Sequence, residues 1–535
     1  MTDSISGQDL GGRDRVGITS SLIYNQRPAA VLARKISYLG QANLQTYAPG
    51  SLVRLEIPTS PGTFLQTGTT QIKFNLNVQI PGGAAPARNQ GHYFLDSSAA
   101  SLIKRVRILS GSSLIEDISE YSKLVEMLSD AQKSNNECES VGFVEGYESG
   151  QVPDITTADY PVGPVTAAQA QHQGDDANRA LLDNSNIRQT NLEWDALRAN
   201  VGFANAEDSA PYQFTIPLMC GSIGTMAQKW FPLGAAGAAP IRIEIELNQN
   251  NAGVYQTVAS RDEGGAGAGA VSWTIDQVEV HADIVQLDGN AMRLVEASVG
   301  GDFVVNTSSF RHSMGAVPTG SVQSSTLLPF RFSSAKAILS RQYPQVAETS
   351  LVRRSQSCAI RSFCTEYHHM IGSSHVPSNN VQLGVSQQAQ NGTISGEGGR
   401  GRNNRQWRQG AVDGVNELMK ALHGKNILQV SNKINTSNWN NDRSNGDIAG
   451  NLSVTVGDLR QFGGDAPKNT FTYAVNLESQ GKASDLVECG TSTVSLQCFL
   501  NATYSPVTAQ ANSLHSWCMH DLRLEFVGGV CIPRY

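Results

Sequence analysis

The sequence predicts an all-β protein made of two tandem jelly-roll β-sandwiches, a double jelly roll in which each half carries a short accessory helix and long inserted loops. Three observations support this. Apolar and polar residues alternate with period two through many short segments, as half-buried antiparallel strands require. These segments recur in the same order in both halves of the chain. Charged residues make up only 16% of the 535 residues, while glycine occurs 51 times, which is typical of a turn-rich β protein.

Length and charge narrow the classes of protein further. A chain of 535 residues exceeds one ordinary core, so two or more domains are expected. The formal net charge of −7 argues against a dedicated nucleic-acid binder. No apolar run approaches the roughly 18 residues that span a bilayer, and the first residues lack the apolar core of a signal peptide. The 8 cysteines show no CxxC spacing, which predicts buried, reduced thiols in an intracellular protein.

The predicted domains are an N-terminal arm at residues 1–50, a first jelly roll at 51–297 and a second at 298–535. The arm is polar and mildly basic, and we expect it to pack on a neighbour or on the body of the protein. Contact with nucleic acid is the weaker alternative, because such arms carry denser charge. Its basic residues are Arg13, Arg15, Arg27, Arg34 and Lys35.

Strand signals in the first half begin just after the arm. Val53, Leu55 and Ile57 alternate with charged residues, and the segment 71–80 alternates without a break. Further strands are predicted at 212–218, 241–247 and 273–284, the last with a bulge near Asp276–Gln277. Asp288 is placed to cap a short helix that ends the first half.

One stretch, residues 95–132, organises the first half. A basic strand at 103–109 leads to a Gly-Ser corner at 110–113. Asp117 and Glu120 stand in the spacing of a capping box, which predicts that a helix begins there. An apolar stripe at helical spacing continues it: Ile118, Tyr121, Leu124, Val125, Leu128 and Ala131. A lone amphipathic helix among strands must lie against a sheet. Residues 133–210 have no sustained period and are predicted to be a long inserted loop.

The second half repeats this order. Strands are predicted around 328–332, 360–370, 471–477, 494–504 and 522–526. An amphipathic helix is predicted between them, with Gly424 at its end and one apolar side made by Val412, Val415, Leu418, Met419 and Leu422. Ser272-Trp273 in the first half matches Ser516-Trp517 in the second, and 516 minus 272 gives an offset of 244. We interpret the chain as a duplicated β domain. A tandem of immunoglobulin-like domains fits less well, because those domains are shorter and lack the internal helix.

No group of residues forms a convincing catalytic, cofactor or metal site in the sequence. The chain has no P-loop, no G-x-S-x-G elbow and no H-E-x-x-H pair. His368, His369 and His375 lie near Glu366, but neighbouring residues of a strand point to opposite faces and so cannot share one ion. The second set with ligand-like spacing falls in a predicted strand and is discounted: His515, Cys518 and His520.

The most distinctive polar stretch is the segment 396–410. Arginines alternate there with glycine around Trp407, a pattern found where proteins contact phosphates and stack on bases. We favour an inter-strand loop whose arginines are solvated or pair across an interface. The arginines are Arg400, Arg402, Arg405 and Arg408.

Four segments of the chain resemble the double jelly-roll major capsid proteins of polinton-like viruses, virophages and related double-stranded DNA viruses. Residues 101–128 resemble the family's first-domain strand, Gly-Ser corner and "LEDI" helix. Residues 212–250 resemble its "PL…SG…G" segment, 327–339 the opening strand of the second domain, and 476–504 the run before the C-terminal strands. The chain lacks the "PFWF" run of giant-virus capsid proteins, so it is most similar to the polinton-like branch.

The resemblance implies a major capsid protein with no catalytic residues, located in the virion and assembled inside the host cell. It implies a homotrimer whose six jelly rolls form a pseudo-hexagonal capsomer of an icosahedral shell. The implied partners are neighbouring capsomers, penton and minor capsid proteins, and a host receptor, with weak contact to packaged DNA through Arg400–Arg408 or the N-terminal arm. Two alternatives stay open. One is a glycan-active hydrolase or lectin built on two jelly rolls, and the other is a minor capsid or receptor-binding protein.

Overall fold

The structure is a computed structural model. It describes residues 33–79, 92–96, 98–133, 142–146, 212–227, 229–237, 239–257, 272–299, 303–348, 356–384, 404–423, 434, 439, 469–478, 490–505, 507–508 and 510–535. The predicted long loop at 133–210 lies outside these residues, apart from 133 and a short 3-10 turn at Gly142–Glu145.

The first half contains twelve strands in its described part. They are β1 (Ala33–Gln41), β2 (Thr46–Tyr47), β3 (Leu52–Ile57), β4 (Thr63–Leu65), β5 (Gln71–Gln79), β6 (His92–Leu95), β7 (Ile103–Ser110), β8 (Ser113–Ser119), β9 (Tyr212–Pro217), β10 (Ile241–Leu247), β11 (Val254–Thr257) and β12 (Ser272–Leu287).

The second half adds eleven strands in its described part. They are β13 (Phe303–Val317), β14 (Gln323–Leu328), β15 (Ala335–Pro344), β16 (Cys358–Ala359), β17 (Cys364–Ile371), β18 (Ser374–Gln382), β19 (Asn469–Thr470), β20 (Tyr473–Asn476), β21 (Cys498–Tyr504), β22 (Asn512–Val527) and β23 (Val530–Arg534).

Five α-helices accompany the strands in the described residues. They are α1 (Tyr121–Gln132), α2 (Asn250–Gly253), α3 (Gly289–Val299), α4 (Gln345–Glu348) and α5 (Asn404–His423). Helix α3 separates the two halves, and the predicted boundary at 297/298 falls within its last turn. The main chain around Asp288 begins this helix as expected, because the Met292 amide donates to the Asp288 carbonyl over 2.9 Å.

Both halves have the same sheet order, and this order defines a jelly roll. In the first half the strands run β1-β12-β5-β9 in one sheet and β3-β10-β7-β8 in the other. In the second half they run β13-β22-β15-β20 and β14-β21-β17-β18. These two orders together contain eight strands in each half. If the eight are numbered along the chain, the first lies beside the eighth, the eighth beside the third and so on, identically in both halves. The predicted duplicated double jelly roll is therefore confirmed.

The core consists of the apolar positions that the period-two pattern selects. Val53, Leu55 and Ile57 are fully buried, and Ile72 and Leu76 of β5 belong to the same buried core. The predicted bulge in β12 is present, since the register with β5 shifts between Asp276 and Glu279. Gln277 there adopts a left-handed φ of 47°.

The predicted start of the first helix is wrong. Residues Ser113–Ser119 form strand β8, which pairs with β7 across the predicted Gly-Ser corner. Helix α1 begins only at Tyr121, and Glu120 precedes it in a left-handed conformation with no side-chain cap. Asp117 is thus a strand residue and not part of a capping box. The apolar stripe is correct from Tyr121 onward, since Tyr121, Leu124, Leu128 and Ala131 are buried.

The second half also departs from prediction in three places. The strand predicted at 328–332 ends at Leu328, and residues 329–332 are not strand. The strand predicted from Val494 begins at Cys498, leaving Val494 and Leu496 exposed. Ser-Trp is at the first two residues of β12 but at the fifth and sixth of β22. The two strands begin 512 minus 272, or 240, residues apart, so the offset of 244 between the two Ser-Trp pairs is not the offset between the strands.

Two long edge strands were not predicted. Strand β1 lies inside the predicted N-terminal arm and pairs with β12 from Ala33↔Leu287 to Gln41↔Glu279. Strand β13 opens the second half and pairs with β22 from Phe303↔Phe526 to Val317↔Asn512. The opening strand of the second half is therefore β13 and not the segment 327–339.

Candidate functional site: the interface between the two sandwiches

Helix α1 lies between the two sandwiches. Its apolar stripe contacts β7 and the 3-10 turn at Ala99–Leu102 in the first sandwich. Its opposite side carries polar and charged residues, which on a lone amphipathic helix would face solvent. They are buried instead: Ser122, Lys123, Glu126, Ser129 and Asp130. The second sandwich covers them, so both sides of α1 are interior.

An ion pair between Asp130 and Arg341 is the most deeply buried contact of this interface. The Arg341 Nη2 donates to Asp130 Oδ2 over 3.0 Å, and both side chains have 0% exposure. Arg341 also donates from Nε to Thr472 Oγ1 over 2.9 Å. Because Asp130 belongs to α1 and Arg341 to β15, the pair links the two sandwiches. Breaking such a pair leaves an uncompensated buried charge.

Lys123 is the centre of a second charged cluster. Its Nζ lies 2.5 Å from Glu348 Oε1 and 3.3 Å from Glu120 Oε2. Burial alone would lower the pKa of Lys123, but Glu120 and Glu348 outweigh it, so the pKa is raised and the ammonium stays charged. The pKa of Glu348 is lowered, since its bonds to His515 and Lys123 outweigh the effect of burial.

Two histidines of the second sandwich complete this cluster. His515 Nε2 lies 2.9 Å from Glu348 Oε1, and His515 Nδ1 lies 3.0 Å from His312 Nε2. Burial lowers the pKa of His312 to about 3, and His515 beside it acts in the same direction. Burial and the Lys123 charge lower the pKa of His515 as well, against the opposing effect of Glu348. Both rings are therefore neutral at pH 7.

Glu116 on β8 joins a third part of the interface. Its carboxylate accepts from the Gly221 and Ser222 amides over 2.9 and 3.0 Å, and from Ser309 Oγ on β13 over 2.5 Å. Burial raises the pKa of Glu116, although these hydrogen bonds oppose it. Gly221 is needed for close approach, because a Cβ there would lie 2.0 Å from the Ser308 carbonyl oxygen.

The segment before β16 and the C-terminal strand also attach the second sandwich to the first. The Gln356 amide and the Ser357 hydroxyl both donate to Asp96, over 2.6 and 2.5 Å. The Tyr535 hydroxyl donates to the Ile115 carbonyl over 3.0 Å. The two sandwiches are thus also joined outside helix α1, by hydrogen bonds of a structural kind.

The histidine group around His368 lies elsewhere, on strands β17 and β18. His369 is fully buried, while His368 is half-buried and stacks on His375 at 4.6 Å between ring centroids. The prediction that His368 and His369 point to opposite faces is confirmed. Burial lowers the pKa of His369 to about 3. His368 Nε2 is 3.0 Å from the Asn501 amide nitrogen, and Glu366 accepts from Gln382 over 2.7 Å.

His515, Cys518 and His520 lie in strand β22 as predicted, but they have separate surroundings. His515 belongs to the Lys123 cluster, whereas the His520 ring stacks on Phe332 at 3.9 Å between centroids. Burial raises the pKa of the Cys518 thiol. Within the described ranges, no three His, Cys, Asp or Glu residues come together as metal ligands.

The arginine segment is helical from Asn404 onward, so the predicted loop is wrong for that part. Arg405, Trp407 and Arg408 fall in the first turns of α5. Arg400, Arg402 and Gly424 lie outside the described residues. Across the described helices, none is long and apolar enough to cross a membrane.

Sequence reasoning missed the groups that hold the interface together. Glu116, Lys123 and Asp130 lie outside the apolar stripe that the sequence predicts, so their burial was not predicted. Arg341 carried the one available signal, because it follows the apolar residues Ala337–Leu339 within the same strand, β15. A buried arginine needs hydrogen-bond acceptors and favours a carboxylate partner, but the sequence does not say which one.

Comparison with known proteins gives the same fold. No protein-family model and no curated protein sequence matches the chain. Among solved structures, the Faustovirus major capsid protein matches with a TM-score of 0.51 at 8% identity, over 97% of this chain and 96% of its own. The PBCV-1 virus capsid has a TM-score of 0.49 at 10% identity, over 96% and 99%. The mavirus major capsid protein has a TM-score of 0.48 at 8% identity, over 97% and 94%. The similarity to the Faustovirus protein supports the double jelly-roll fold. At 8% identity it is a similarity of fold alone.

Proposed function

We propose that the chain is a major capsid protein, a structural subunit that assembles as a pseudo-hexagonal homotrimer in the icosahedral shell of a double-stranded DNA virus. Its location is then the virion, after assembly inside the host cell. Neighbouring capsomers, penton and minor capsid proteins are its partners, with a host receptor on the outside. Contact with packaged DNA is weak, in keeping with the net charge of −7.

One observation carries this proposal: the two sandwiches have equivalent sheets, but the contact within the chain covers the outward face of only one of them. The outward face of the sheet β13-β22-β15-β20 is covered by α1 and β8 of the first sandwich. The first sandwich has a sheet of the same order, β1-β12-β5-β9. Phe303 of the second sandwich contacts Phe64 at one end of its outward face, over 5.9 Å between ring centroids, while Lys73, Glu279 and His281 on that face stay partly exposed. The outward face is covered in the second sandwich and largely open in the first. This difference favours a second contact of the same kind, made between two copies of the chain.

The chemistry of the interface supports a structural role. Its charged groups pair with one another in the interior, where they fix the position of the two sandwiches. A heterologous contact that repeats with a closing rotation forms a ring, and rings of six sandwiches pack into a hexagonal lattice.

Native mass measured by light scattering, followed by negative-stain imaging of the same peak, tests the proposal. We expect three times 57.3 kDa and a hexagonal outline. A monodisperse species of 57.3 kDa that stays monomeric under every assembly condition would contradict it and direct attention to glycan binding or hydrolysis. Copy number in virions separates a major from a minor capsid protein.

A further inference from the structure

Inside one chain, two edge strands of different sandwiches lie side by side. Strand β8 is the edge of its sheet in the first sandwich, and β13 is the edge of its sheet in the second. Arg311 Nη1 on β13 lies 3.4 Å from Asp117 Oδ2 on β8, and Ser309 on the same strand donates to Glu116. The two strands are not paired by their backbones, so side chains make this contact.

Each of these two strands has an equivalent in the other sandwich. Strand β18 ends its sheet in the second sandwich as β8 does in the first, and β1 ends its sheet in the first sandwich as β13 does in the second. Both hairpins, β7–β8 and β17–β18, turn at a glycine with left-handed φ, 58° at Gly111 and 61° at Gly372. The following strand starts two residues later in each case. β1 and β13 are the equivalent edge strands of equivalent sheets.

These two strands are open in the described part of the chain. The first five residues of β1, Ala33 to Ser37, are exposed, and Leu39 is 57% exposed. At the corresponding places β13 has buried residues, such as Thr307 and Ser309, because the first sandwich covers them. Strand β18 is likewise exposed or half-buried at every position except Val381.

We infer that β18 of one copy lies beside β1 of the next copy, repeating between chains the contact that β8 and β13 make within a chain. The inference rests on the proposed function and specifies which edges meet. The contact is head to tail, since the two strands differ, so its repetition closes a ring rather than a two-fold dimer.

Side chains, and not a continuous sheet, make this contact. Pro377 lies in the fourth position of β18 and has no backbone N–H to donate to a neighbouring strand. Residue equivalence then gives a specific pair. Gln41 is the ninth residue of β1, as Arg311 is of β13. Asp117 pairs with Arg107, four residues before its turn glycine. The same position of β17, His368, lies opposite the bulge of β18 between Val376 and Val381, which contains Ser378. The Arg311–Asp117 contact predicts that Gln41 of one copy faces Ser378 of the next.

Cross-linking of a double variant tests this pairing. Gln41→Cys combined with Ser378→Cys is treated with a short bismaleimide and run on a denaturing gel, with the wild-type chain as background for the native cysteines. We expect covalent products of two and three copies. The matched control combines Gln41→Cys with Ser298→Cys, on the exposed helix α3, which follows β12 beside the opposite end of β1. It should give no more product than the single variants.

A second variant covers the case in which the cysteines react poorly. Leu39→Asp places a charge in the proposed contact and is expected to lower the trimer fraction at least tenfold at a fixed concentration. Leu294→Asp, at a side chain with 70% exposure on α3, is its control and should leave the trimer fraction unchanged. A native trimer that neither cross-links nor responds to Leu39→Asp overturns the strand assignment and leaves the proposed function intact. A chain that is monomeric before any substitution overturns the proposed function itself.

Discussion

The two equivalent sheets of this protein differ in how their outward faces are covered. In β12, buried residues such as Val280 and Ala282 alternate with half-buried polar ones such as His281 and Asp283. In β22, every residue from Asn512 to Cys518 is buried. The fold is the same in both sandwiches, so the difference comes from what lies on the outward face. In the second sandwich this is helix α1. In the first sandwich Phe303 covers one end of the face at Phe64, and Lys73, Glu279 and His281 stay partly exposed.

The residues on the two faces reflect this difference. The first sheet has pairs at its surface, such as Lys73 with Glu279 at 3.8 Å and Lys35 with Asp283 at 2.7 Å. The second sheet has Arg341 in a fully buried pair. Exposed ion pairs contribute little to protein stability, whereas the loss of one partner of a buried pair strongly destabilises the protein. An ion pair on the outward face is therefore expected to affect the free energy of unfolding more in the second sandwich than in the first.

The largest expected effect is from breaking the buried pair. Asp130→Ala should lower the free energy of unfolding by about 3–5 kcal/mol, because Arg341 stays buried without its carboxylate. Urea denaturation followed by fluorescence measures this. The double variant Asp130→Leu with Arg341→Met should recover most of the loss, since neither buried charge remains. A loss below about 1 kcal/mol for Asp130→Ala would mean that the pair is hydrated and the face is not closed.

A second substitution tests the close approach of the sandwiches. Gly221→Ala should destabilise the chain by about 1–3 kcal/mol, because its Cβ would lie 2.0 Å from the Ser308 carbonyl oxygen and force the halves apart. Gly289→Ala is the matched control, since no atom lies within 4 Å of a Cβ at that position. Thermal unfolding of both variants gives the comparison. Equal melting temperatures would contradict the contact.

The covered face should contribute to the pH dependence of stability. His312 has a folded pKa of about 3, below its unfolded value near 6.5, so the unfolded chain binds more protons between these values. Stability is full above pH 6.5 and falls as the pH drops towards 3, by at most about 1.4 kcal/mol per pH unit for this group. His312→Gln should reduce the slope, measured by urea unfolding between pH 7 and pH 4. An unchanged slope would show that His312 is hydrated in the folded chain.

The smallest effect is expected on the open face. Lys73→Ala removes a half-exposed partner of Glu279 and should cost between about 0 and 1 kcal/mol in the isolated chain. Adding 0.5 M salt should reduce the difference in stability between wild type and variant, because salt screens the exposed pair that only the wild type has. A loss comparable to that of Asp130→Ala would mean that the outward face of the first sheet is already closed within one chain.

The sequence alone determined the strands whose inner faces form the two cores. Strict alternation at 53–57, 71–80 and 241–247 has one solution, because a shift by one residue would expose the whole apolar set. The duplicated order of these strands also predicted the double jelly roll. The same reasoning missed β1 and β13, whose residues are exposed or covered irregularly, so no period marks them. It also extended α1 backwards into β8, because Ile118 fits both the helical stripe and the strand pattern.

The tertiary structure decided everything at the interface between the sandwiches. Lys123, Asp130 and Glu116 have the sequence signature of solvent-facing residues, and only the position of the second sandwich makes them buried. Residues that meet there are far apart in the chain, as Asp130 and Arg341 are, and local periodicity reports only on neighbours along the chain. A strand pattern indicates which face of a sheet is apolar, but the surface that a polar face meets depends on long-range packing that no local pattern contains.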